Sequence, residues 1–303
     1  MAKNAFRTIL IFAAALALMA VTASAQQDFS KIEVKTTKVS DNFYTLEGAG
    51  GMVGVLVGPD GVFMVDSQFA PMSEKLMAAI RKLTDKPVRF MVNTHVHGDH
   101  TGGNENFGKM GTTIIAREEL RNRLMHPNPA ANGQPTPPMP AIGLPLITYN
   151  GQMVLHMDGE TIRLIAIPRA HTDGDTIAQF VNADVIMTGD FFRSIQYPNI
   201  DRANGGSLNG MIDGLGRVLG MAGPNTKIIP GHGPTANRDA VEAQRDIILM
   251  VRDRVKKLMS EGKSQEEVIA AHPTADLDAK VAEVGMTRDR FIGQVYQDLK
   301  AGM

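Results

Sequence analysis

A short apolar run, Val88–Val92, is followed directly by the sequence NTHVHGDH at residues 93–100. The run predicts a buried strand, and open sheets usually bind ligands in the loops that follow such strands. The loop holds three of the chain's eight histidines and one aspartate. Its first two histidines can turn ring nitrogens toward one ion, while the aspartate and the third histidine face a neighbouring position. The fold must therefore supply the remaining ligands of two metal ions from elsewhere in the chain.

Single histidines and aspartates recur after later strand-like runs. His171 follows the apolar run at residues 161–167, Asp190 follows residues 185–187, and His232 follows residues 227–229. Asp66 ends the earlier run VFMVD. Because each of these residues stands where a strand passes into a turn, we expect the fold to bring them close to residues 93–100.

Strands followed by helices occur twice along the chain, which predicts layered α/β architecture. Strands are predicted within residues 32–46 and 51–66 and at residues 88–92, 113–116, 153–156, 161–166, 176–181, 185–187 and 227–229, and helices at residues 71–83, 117–125, 207–221, 237–260, 264–271 and 287–299. Residues 127–145 hold seven of the 16 prolines and no hydrophobic period. They predict a linker or a functional lid, and we interpret them as a loop within one domain.

The first 25 residues have the pattern of a secretory signal peptide. Lys3 and Arg7 precede an apolar run at residues 9–21, and Ala23-Ser24-Ala25 forms a small-residue cleavage site. The run is shorter than the roughly 20 residues that a retained membrane anchor needs. We therefore predict cleavage before Gln26, a single mature domain at residues 26–303, no membrane association after cleavage, and a periplasmic or secreted location.

The composition limits the chemistry of any site. The chain has no cysteine, which excludes disulfides and thiolate metal ligands. Any metal must therefore be held by nitrogen and oxygen. The formal net charge is −1, so the chain as a whole has no basic excess that would attract a polyphosphate backbone. Nucleic acid is not an expected partner, and a small-molecule substrate is.

Five ordered motifs resemble those of the metallo-β-lactamase superfamily. They are Asp66 at a strand end, H-x-H-x-D-H at residues 95–100, H-T-D-G-D with His171, G-D with Asp190 and P-G-H-G-P with His232. The resemblance covers about residues 41–234 and implies a four-layer αββα sandwich with metals at one edge between two sheets. It implies two zinc ions, one held by His95, His97 and His171, the other by Asp99, His100 and His232, with Asp190 shared. Nitrogen and carboxylate ligands also accept iron or manganese.

The resemblance implies a hydrolase that uses a metal-bridging hydroxide, with Asp99 as an additional catalytic residue that orients the nucleophile and passes a proton to the leaving group. The bond cleaved is an ester, thioester, lactone, phosphodiester or β-lactam. A bridging aspartate such as Asp190 resembles thioesterases, lactonases and phosphodiesterases of this superfamily rather than dedicated β-lactamases. Two alternatives remain open: a mononuclear iron oxygenase of the same fold that oxidises sulfur compounds, and a periplasmic metal-binding protein without activity.

Several other residues have two interpretations. Asp66 either orients a histidine ring through its non-ligating nitrogen or caps the turn before Pro71. A loop-borne set either forms an apolar substrate wall with an arginine for a carboxylate or belongs to the packing: Phe69, Phe191, Phe192, Arg193 and Tyr197. His126, His156 and His272 lie outside the motifs and are predicted not to bind metal. The sequence leaves the oligomeric state open.

Overall fold

The structure is a computed structural model that describes residues 27–130, 132–285 and 287–302. The predicted signal peptide lies outside these residues. Within the described part, twelve strands form two sheets, and eight α-helices flank them. None of the described helices is long and apolar enough to cross a bilayer.

The first sheet has seven strands in chain order. They are β1 (Lys35–Lys38), β2 (Phe43–Glu47), β3 (Val53–Gly58), β4 (Gly61–Val65), β5 (Val88–Val92), β6 (Thr113–Arg117) and β7 (Ile147–Tyr149). The first four strands are antiparallel, and β4 to β7 are parallel. The GPDG sequence at residues 58–61 closes the β3–β4 hairpin, where Gly61 has a φ of 123° that favours glycine.

The second sheet has five strands in the order β12-β11-β10-β9-β8. Their bounds are β8 (Gln152–Met157), β9 (Glu160–Ile167), β10 (Asp175–Phe180), β11 (Val185–Gly189) and β12 (Lys227–Pro230). Neighbouring strands are antiparallel except for the β11–β12 pair. The end of β9, the start of β10 and the ends of β11 and β12 therefore lie at the same edge of this sheet.

The helices lie on the two outer faces of the sheets. They are α1 (Ser73–Arg81), α2 (Gly98–Thr101), α3 (Asn104–Lys109), α4 (Glu118–Met125), α5 (Leu208–Met221), α6 (Arg238–Ser260), α7 (Gln265–Ala270) and α8 (Thr287–Ala301). One apolar cluster joins α1 and α3 to the first sheet, a second fills the space between the sheets, and a third joins α5 to α8 to the second sheet. The expectation of a four-layer αββα sandwich is confirmed.

The layer between the sheets is apolar and includes aromatic side chains. Phe43 from the first sheet and Phe180 from the second are fully buried, with ring centroids 4.5 Å apart. Full burial of one such side chain contributes roughly 1.5–3 kcal/mol. This contact fixes the two sheets against each other and so holds the loops at their common edge in place.

Most predicted elements lie within two residues of their predicted bounds. Asn237 caps α6, and Ser264 forms a capping box with Glu267 at the start of α7. The sequence reading missed α2, α3 and β7. Helices α2 and α3 are short and glycine-containing, so they carry little hydrophobic period. In the proline-rich segment, the described residues 127–130 and 132–145 form a loop with one 3-10 turn at Ala141–Gly143.

Candidate metal centre

Seven histidine and aspartate side chains come together at the edge between the two sheets. His95 and His97 lie on the loop after β5, and Asp99 and His100 lie on α2. Three others follow the ends of β9, β11 and β12: His171, Asp190 and His232. The sequence brings them together because each follows a strand that ends at this edge.

The side chains form two groups, each with its ligand atoms within 4.8 Å of one another. The first group is His95, His97, His171 and Asp190, and the second is Asp99, His100 and His232. This division is the one that the motifs implied. Both groups consist of nitrogen and oxygen donors, which suit zinc, iron and manganese.

Asp190 lies between the two groups. Its Oδ2 is 4.0 Å from His95 Nε2, 3.8 Å from His171 Nε2 and 3.4 Å from His232 Nε2, and its Oδ1 is 3.3 Å from His100 Nε2. Its side chain is 2% exposed. A carboxylate has two oxygens that can each accept a cation, so a carboxylate at this position could serve both groups of side chains.

Two histidines of the first group, His95 and His171, favour the neutral form. Burial lowers the pKa of His171 to about 3, and burial together with the neighbouring His100 lowers the pKa of His95 well below its ordinary value. Burial acts to raise the pKa of Asp190, but the charge of His100 and the hydrogen bonds from His100 and His232 together outweigh it and lower that pKa well below the ordinary value. Neutral imidazoles and an ionised carboxylate are the protonation states that bind metal.

The second group has more charge. Burial would raise the pKa of Asp99, but a hydrogen bond from His232 and the charge of His100 lower it to about 2. Burial would lower the pKa of His100, but the carboxylates of Asp66 and Asp190 raise it well above its ordinary value. The carboxylates that stabilise a proton on His100 would also stabilise a cation at this position.

The ring nitrogens that face away from the site have partners of their own. His171 Nδ1 donates to the Asn199 carbonyl oxygen at 2.7 Å, which leaves Nε2 free to bind metal. His100 Nδ1 lies 2.8 Å from Asp66 Oδ2, and His97 Nε2 lies 2.7 Å from Asp201 Oδ2. Such partners fix the tautomer and the ring orientation of a metal-binding histidine.

Asp66 orients more than one group. Its Oδ1 accepts from the Thr94 backbone N–H at 2.7 Å, and its Oδ2 accepts from the Thr94 hydroxyl at 2.7 Å as well as from His100. Its φ is 63°, a left-handed conformation that is rare for an aspartate. The structure thus places Asp66 behind the second group, hydrogen-bonded to it, rather than at the turn before Pro71.

Two glycines allow the backbone to approach the ligands closely. A Cβ on Gly51 would lie 2.1 Å from His100 Cε1, and a Cβ on Gly231 would lie 2.0 Å from Asp190 Oδ1. Neither distance is physically possible. Any other residue at these positions would therefore displace a ligand side chain.

The residues fit a bound metal on a further observation. His95 Nε2 and Asp190 Oδ1 are buried and have no hydrogen-bond partner among the described residues. A buried polar atom without a partner costs about 1–3 kcal/mol, so such atoms usually mark a functional role. Both atoms point into the space between the groups, where a cation would satisfy them.

A comparison with known protein families identifies the family of this chain. The model of the metallo-beta-lactamase superfamily matches residues 47–258, well over half of the chain. The chain belongs to the metallo-beta-lactamase superfamily. The match covers all seven residues of the two groups.

Individual relatives of this superfamily member are distant. The linear primary-alkylsulfatase of Pseudomonas sp. is 38% identical over 50 residues, which is 16% of this chain and 10% of that protein. The stereoselective inverting sec-alkylsulfatase Pisa1 from Pseudomonas sp. is 17% identical with a TM-score of 0.69 over 87% of this chain, and the match spans half of its own length. The metallo-beta-lactamase from Pontibacter korlensis is 17% identical with a TM-score of 0.59 over 72% of this chain and 99% of its own.

The aromatic residues that were predicted to form a substrate wall belong to the packing of this superfamily member. Phe191 and Phe192 are fully buried in the apolar cluster between the second sheet and its helices, and Tyr197 is 1% exposed and donates its hydroxyl to Asp278. These three side chains are part of the core beneath the metal centre and do not form a substrate-binding wall. Phe69 is half-buried and packs edge-on against Phe29, with ring centroids 5.5 Å apart.

Arg193 lies beside the first group. Its Nη2 contacts Asp190 Oδ2, and its Nη1 donates to Gln196 Oε1 at 2.9 Å. The guanidinium that was predicted to bind a substrate carboxylate is thus engaged with a ligand residue in this structure. The histidines outside the motifs stand apart from both groups: His126 and His156 are exposed, and His272 pairs with Asp278.

Sequence reasoning missed three groups that hold the histidines of this superfamily member. Thr94 Oγ1 lies 3.1 Å from His95 Nδ1, and Asp201 and the Asn199 carbonyl hold His97 and His171. Thr94 stands inside NTHVHGDH and could have been noticed. Residues 199 and 201 lie far along the loop that follows β11, outside any element with a hydrophobic period, so no periodic signal points to them.

Proposed function

We propose that the protein is an exported hydrolase that binds two zinc ions and cleaves a small-molecule ester, thioester, lactone, phosphodiester or β-lactam. The observation that carries the proposal is the position of Asp190, whose two oxygens lie within 4.0 Å of histidine nitrogens from both groups. A shared carboxylate of this kind suits a two-ion site better than a single-ion site. Superfamily membership supports hydrolysis as the reaction.

The metals and the protein would have separate tasks. When bound, divalent cations supply Lewis acidity that acidifies a water and polarises the bond under attack. Asp99 is the carboxylate of the site that remains accessible, with 23% of its side chain exposed. Its Oδ2 lies 3.0 Å from His232 Nε2, which leaves Oδ1 to accept a proton from the attacking water and to deliver it to the leaving group. The histidine partners Asp66, Asp201 and Asn199 keep the ring nitrogens aimed at the site.

Zinc is the metal that the donor set favours in an enzyme of this kind. The two groups offer histidine nitrogens with a few carboxylate oxygens, a mixture that zinc hydrolases commonly use. The absence of cysteine removes the thiolates of closed structural zinc sites. Exposure of Asp99 and His232 supports an open catalytic site rather than a closed carrier site.

A sulfate ester is the second candidate for the bond cleaved. The observation that favours it is the 38% identity over 50 residues to a protein described as a linear primary-alkylsulfatase. An alkyl sulfate resembles a phosphodiester in carrying a tetrahedral anionic group that two cations can bind through its oxygens. A panel of substrates must therefore include it.

The test is the initial rate of the zinc-loaded protein on lactones, thioesters, phosphodiesters, β-lactams and alkyl sulfates, each with and without a chelator. We expect one class to be hydrolysed and chelator to remove that activity. His95→Ala should abolish it, whereas His156→Ala, a change of the same kind at an exposed position, should not. Chelator-resistant turnover, or no turnover by protein with two zinc ions per chain, would contradict the proposal.

Metal analysis of protein from its native host separates this proposal from the iron oxygenase. Two zinc ions per chain support the hydrolase, and one iron per chain with oxygen uptake on a sulfur compound contradicts it. Export has its own test: the N-terminus of the native protein should be Gln26, and an N-terminus at Met1 or Ala2 would reject cleavage.

A further inference from the structure

A cavity of about 490 Å³ opens beside the metal centre, outside the two groups of ligands. Its walls come from the start of α2, from α4 and from the proline-rich segment. His97 belongs both to the first group and to the wall of the cavity. Its Nδ1 lies 3.0 Å from His171 Nε2, and its ring lines the cavity. A molecule in the cavity would therefore extend to the metal centre. The volume is in the range of small-molecule sites.

Prolines make up much of the wall. The segment contributes five of them, at positions 127, 129, 137, 138 and 140, and apolar side chains come from Val96, Leu124 and Met139. Proline has no backbone N–H, so this wall donates no hydrogen bonds from those positions. It is therefore poorly suited to a phosphate, sulfate or carboxylate group and well suited to an apolar one.

Two polar side chains that line the cavity, Arg123 and Asn128, already have partners. Arg123 Nη2 donates to Asp173 Oδ2 at 2.7 Å, and its Nη1 donates to the Ala203 carbonyl at 3.2 Å. Asn128 Nδ2 donates to the same carbonyl at 3.0 Å and to Asn204 Oδ1 at 2.9 Å. The one cationic side chain on the described wall thus has its charge balanced by Asp173.

The proline-rich wall is tied to the rest of the fold. The Met139 N–H donates to the Leu124 carbonyl at 2.9 Å, Arg121 Nη1 donates to the Pro145 carbonyl at 2.6 Å, and Asn104 Nδ2 donates to the Gly143 carbonyl at 3.2 Å. Together with Asn128, these bonds hold the segment at both of its ends. The cavity is thus a preformed part of the structure.

We propose that this cavity binds a neutral apolar substituent of the substrate, so that the protein acts on compounds with an alkyl or aryl group attached to the bond at the metal centre. This inference rests on the proposed hydrolase function. The cavity selects substrates by the length of their apolar group, whereas the metal centre selects them by the type of bond that is cleaved. The two can therefore be tested separately.

Gly98 is a position at which a larger side chain can be introduced to test the cavity. It is exposed, lines the cavity, and a Cβ placed on it would meet no atom within 4 Å. Gly98→Leu should therefore fill the cavity from the α2 side. Thr136→Trp should fill it from the segment side, because Thr136 is exposed on the opposite wall and distant in sequence from every ligand. Gly220→Leu on α5 is the matched control, since its Cβ also meets nothing and it lies outside the cavity.

The first measurement is calorimetric binding of 1-octanol and 1-butanol to the zinc-loaded protein, which requires no turnover. We expect octanol to bind at least about tenfold tighter than butanol, because each buried methylene adds to the affinity. Gly98→Leu and Thr136→Trp should weaken octanol binding at least about tenfold, and Gly220→Leu should not change it. Equal binding of the two alcohols, or wild-type octanol affinity in the folded cavity variants, overturns the proposal. If circular dichroism shows both variants unfolded, the comparison of the two alcohols decides alone.

The second measurement is hydrolysis of p-nitrophenyl esters from acetate to octanoate. We expect kcat/KM to rise with chain length in the wild type and to stay flat in Thr136→Trp, with the acetate rate unchanged. Octanol binding without hydrolysis of any substrate class would reject the hydrolase function and leave the apolar site in place. Hydrolysis that does not depend on chain length would reject the apolar site and leave the hydrolase function in place.

Discussion

At the scale of single residues, the carboxylates that are hydrogen-bonded to the histidine rings contribute to metal binding together with the ligands themselves. Asp201 is such a residue, since its Oδ2 lies 2.7 Å from His97 Nε2 and its side chain is 18% exposed. Burial would raise the pKa of Asp201, but the hydrogen bond from His97 lowers it below the ordinary value. The resulting negative charge makes His97 a stronger electron donor at Nδ1, the nitrogen that faces the first group.

Removal of Asp201 should weaken metal binding without removing a ligand. We expect Asp201→Ala to lower zinc affinity by roughly 10–100-fold, the usual effect of losing such a partner. Asp201→Asn keeps an acceptor oxygen for His97 and should recover part of the loss. The measurement is competition for zinc with a chelator of known affinity. Asp213→Asn, at an exposed position on α5, serves as the control, and unchanged affinity in Asp201→Ala would show that Asp201 does not act through His97.

A substitution at Gly51 tests whether the backbone must approach the His100 ring closely. A Cβ would lie 2.1 Å from the His100 ring, so Gly51→Ala must displace that ring. We expect about one zinc per chain instead of two and a rate loss on the order of 100-fold, since small displacements of reacting groups have effects of that size. Gly151→Ala, where a Cβ meets nothing, is the control. Two tightly bound zinc ions in folded Gly51→Ala would contradict the packing described for His100.

The ligands and their partners differ in how far the sequence reveals them. His95 to His232 stand in motifs after apolar strands, so periodicity and residue type predict them. Asp201 stands on a loop and contacts His97 from 104 positions away. Only the three-dimensional course of that loop makes the contact. Phe191 and Phe192 follow Asp190 directly, and the sequence alone does not tell whether such neighbours face a cavity or the core.

At the scale of elements, strand ends and helix caps position the site. Helix α6 begins at Arg238, five residues after the P-G-H-G segment that carries His232 ends, and Asn237 accepts a hydrogen bond from the Ala240 N–H at 3.1 Å. This cap fixes where the long helix starts. The helix then packs its apolar face, including Val241 and Ile248, into the outer cluster of the second sheet.

Loss of this cap should reduce stability with little effect on the reaction. We expect Asn237→Ala to lower the free energy of unfolding by about 1 kcal/mol, because a cap of this type has that value. Asn237→Asp keeps an acceptor and should be close to wild type. Urea denaturation measures the difference, and kcat on the best substrate should be unchanged within twofold. A stability equal to wild type in Asn237→Ala would show that the hydrogen bond to Ala240 contributes nothing.

Elements with a clear apolar pattern or cap were predictable, whereas α2, α3 and β7 were not. The 23 residues of α6 carry an apolar face that sequence periodicity detects, whereas α2 has four residues and β7 has three. Helix α2 is held by a contact with the β4 end, since the Ser67 N–H donates to the His100 carbonyl at 2.8 Å, and β7 forms because β6 offers it a parallel partner. Both depend on tertiary contacts that no local pattern contains.

At the scale of the whole molecule, the sandwich brings together ligands from both halves of the chain. The first sheet supplies His95 to His100, and the second supplies His171, Asp190 and His232. The apolar layer between the sheets, with Phe43 against Phe180, sets the distance between these halves. The repeated order of strands and helices predicted a layered α/β fold, and the family resemblance implied its four-layer arrangement. The pairing of the strands, and hence the position of each ligand, required the structure.

This shared site couples metal binding to folding. Unfolding separates ligands that lie more than 130 positions apart, such as His95 and His232, so the folded chain binds metal far better than the unfolded chain. A cation would also give a partner to the buried atoms His95 Nε2 and Asp190 Oδ1, which have no hydrogen-bond partner among the described residues. A ligand at about a hundred times its Kd adds about 2.7 kcal/mol to the free energy of unfolding.

Metal removal should therefore lower the melting temperature of the whole protein. We expect chelator-treated, dialysed protein to melt several degrees below the zinc-loaded form, since roughly 2–4 °C accompany each kcal/mol in a chain of this size. Zinc should restore the loss. His95→Ala should reduce the response to zinc, because it removes a ligand, whereas the exposed His156→Ala should show the full response. A melting temperature independent of zinc in the wild type, or an equal response in His95→Ala, would mean that the seven residues do not bind metal as a unit.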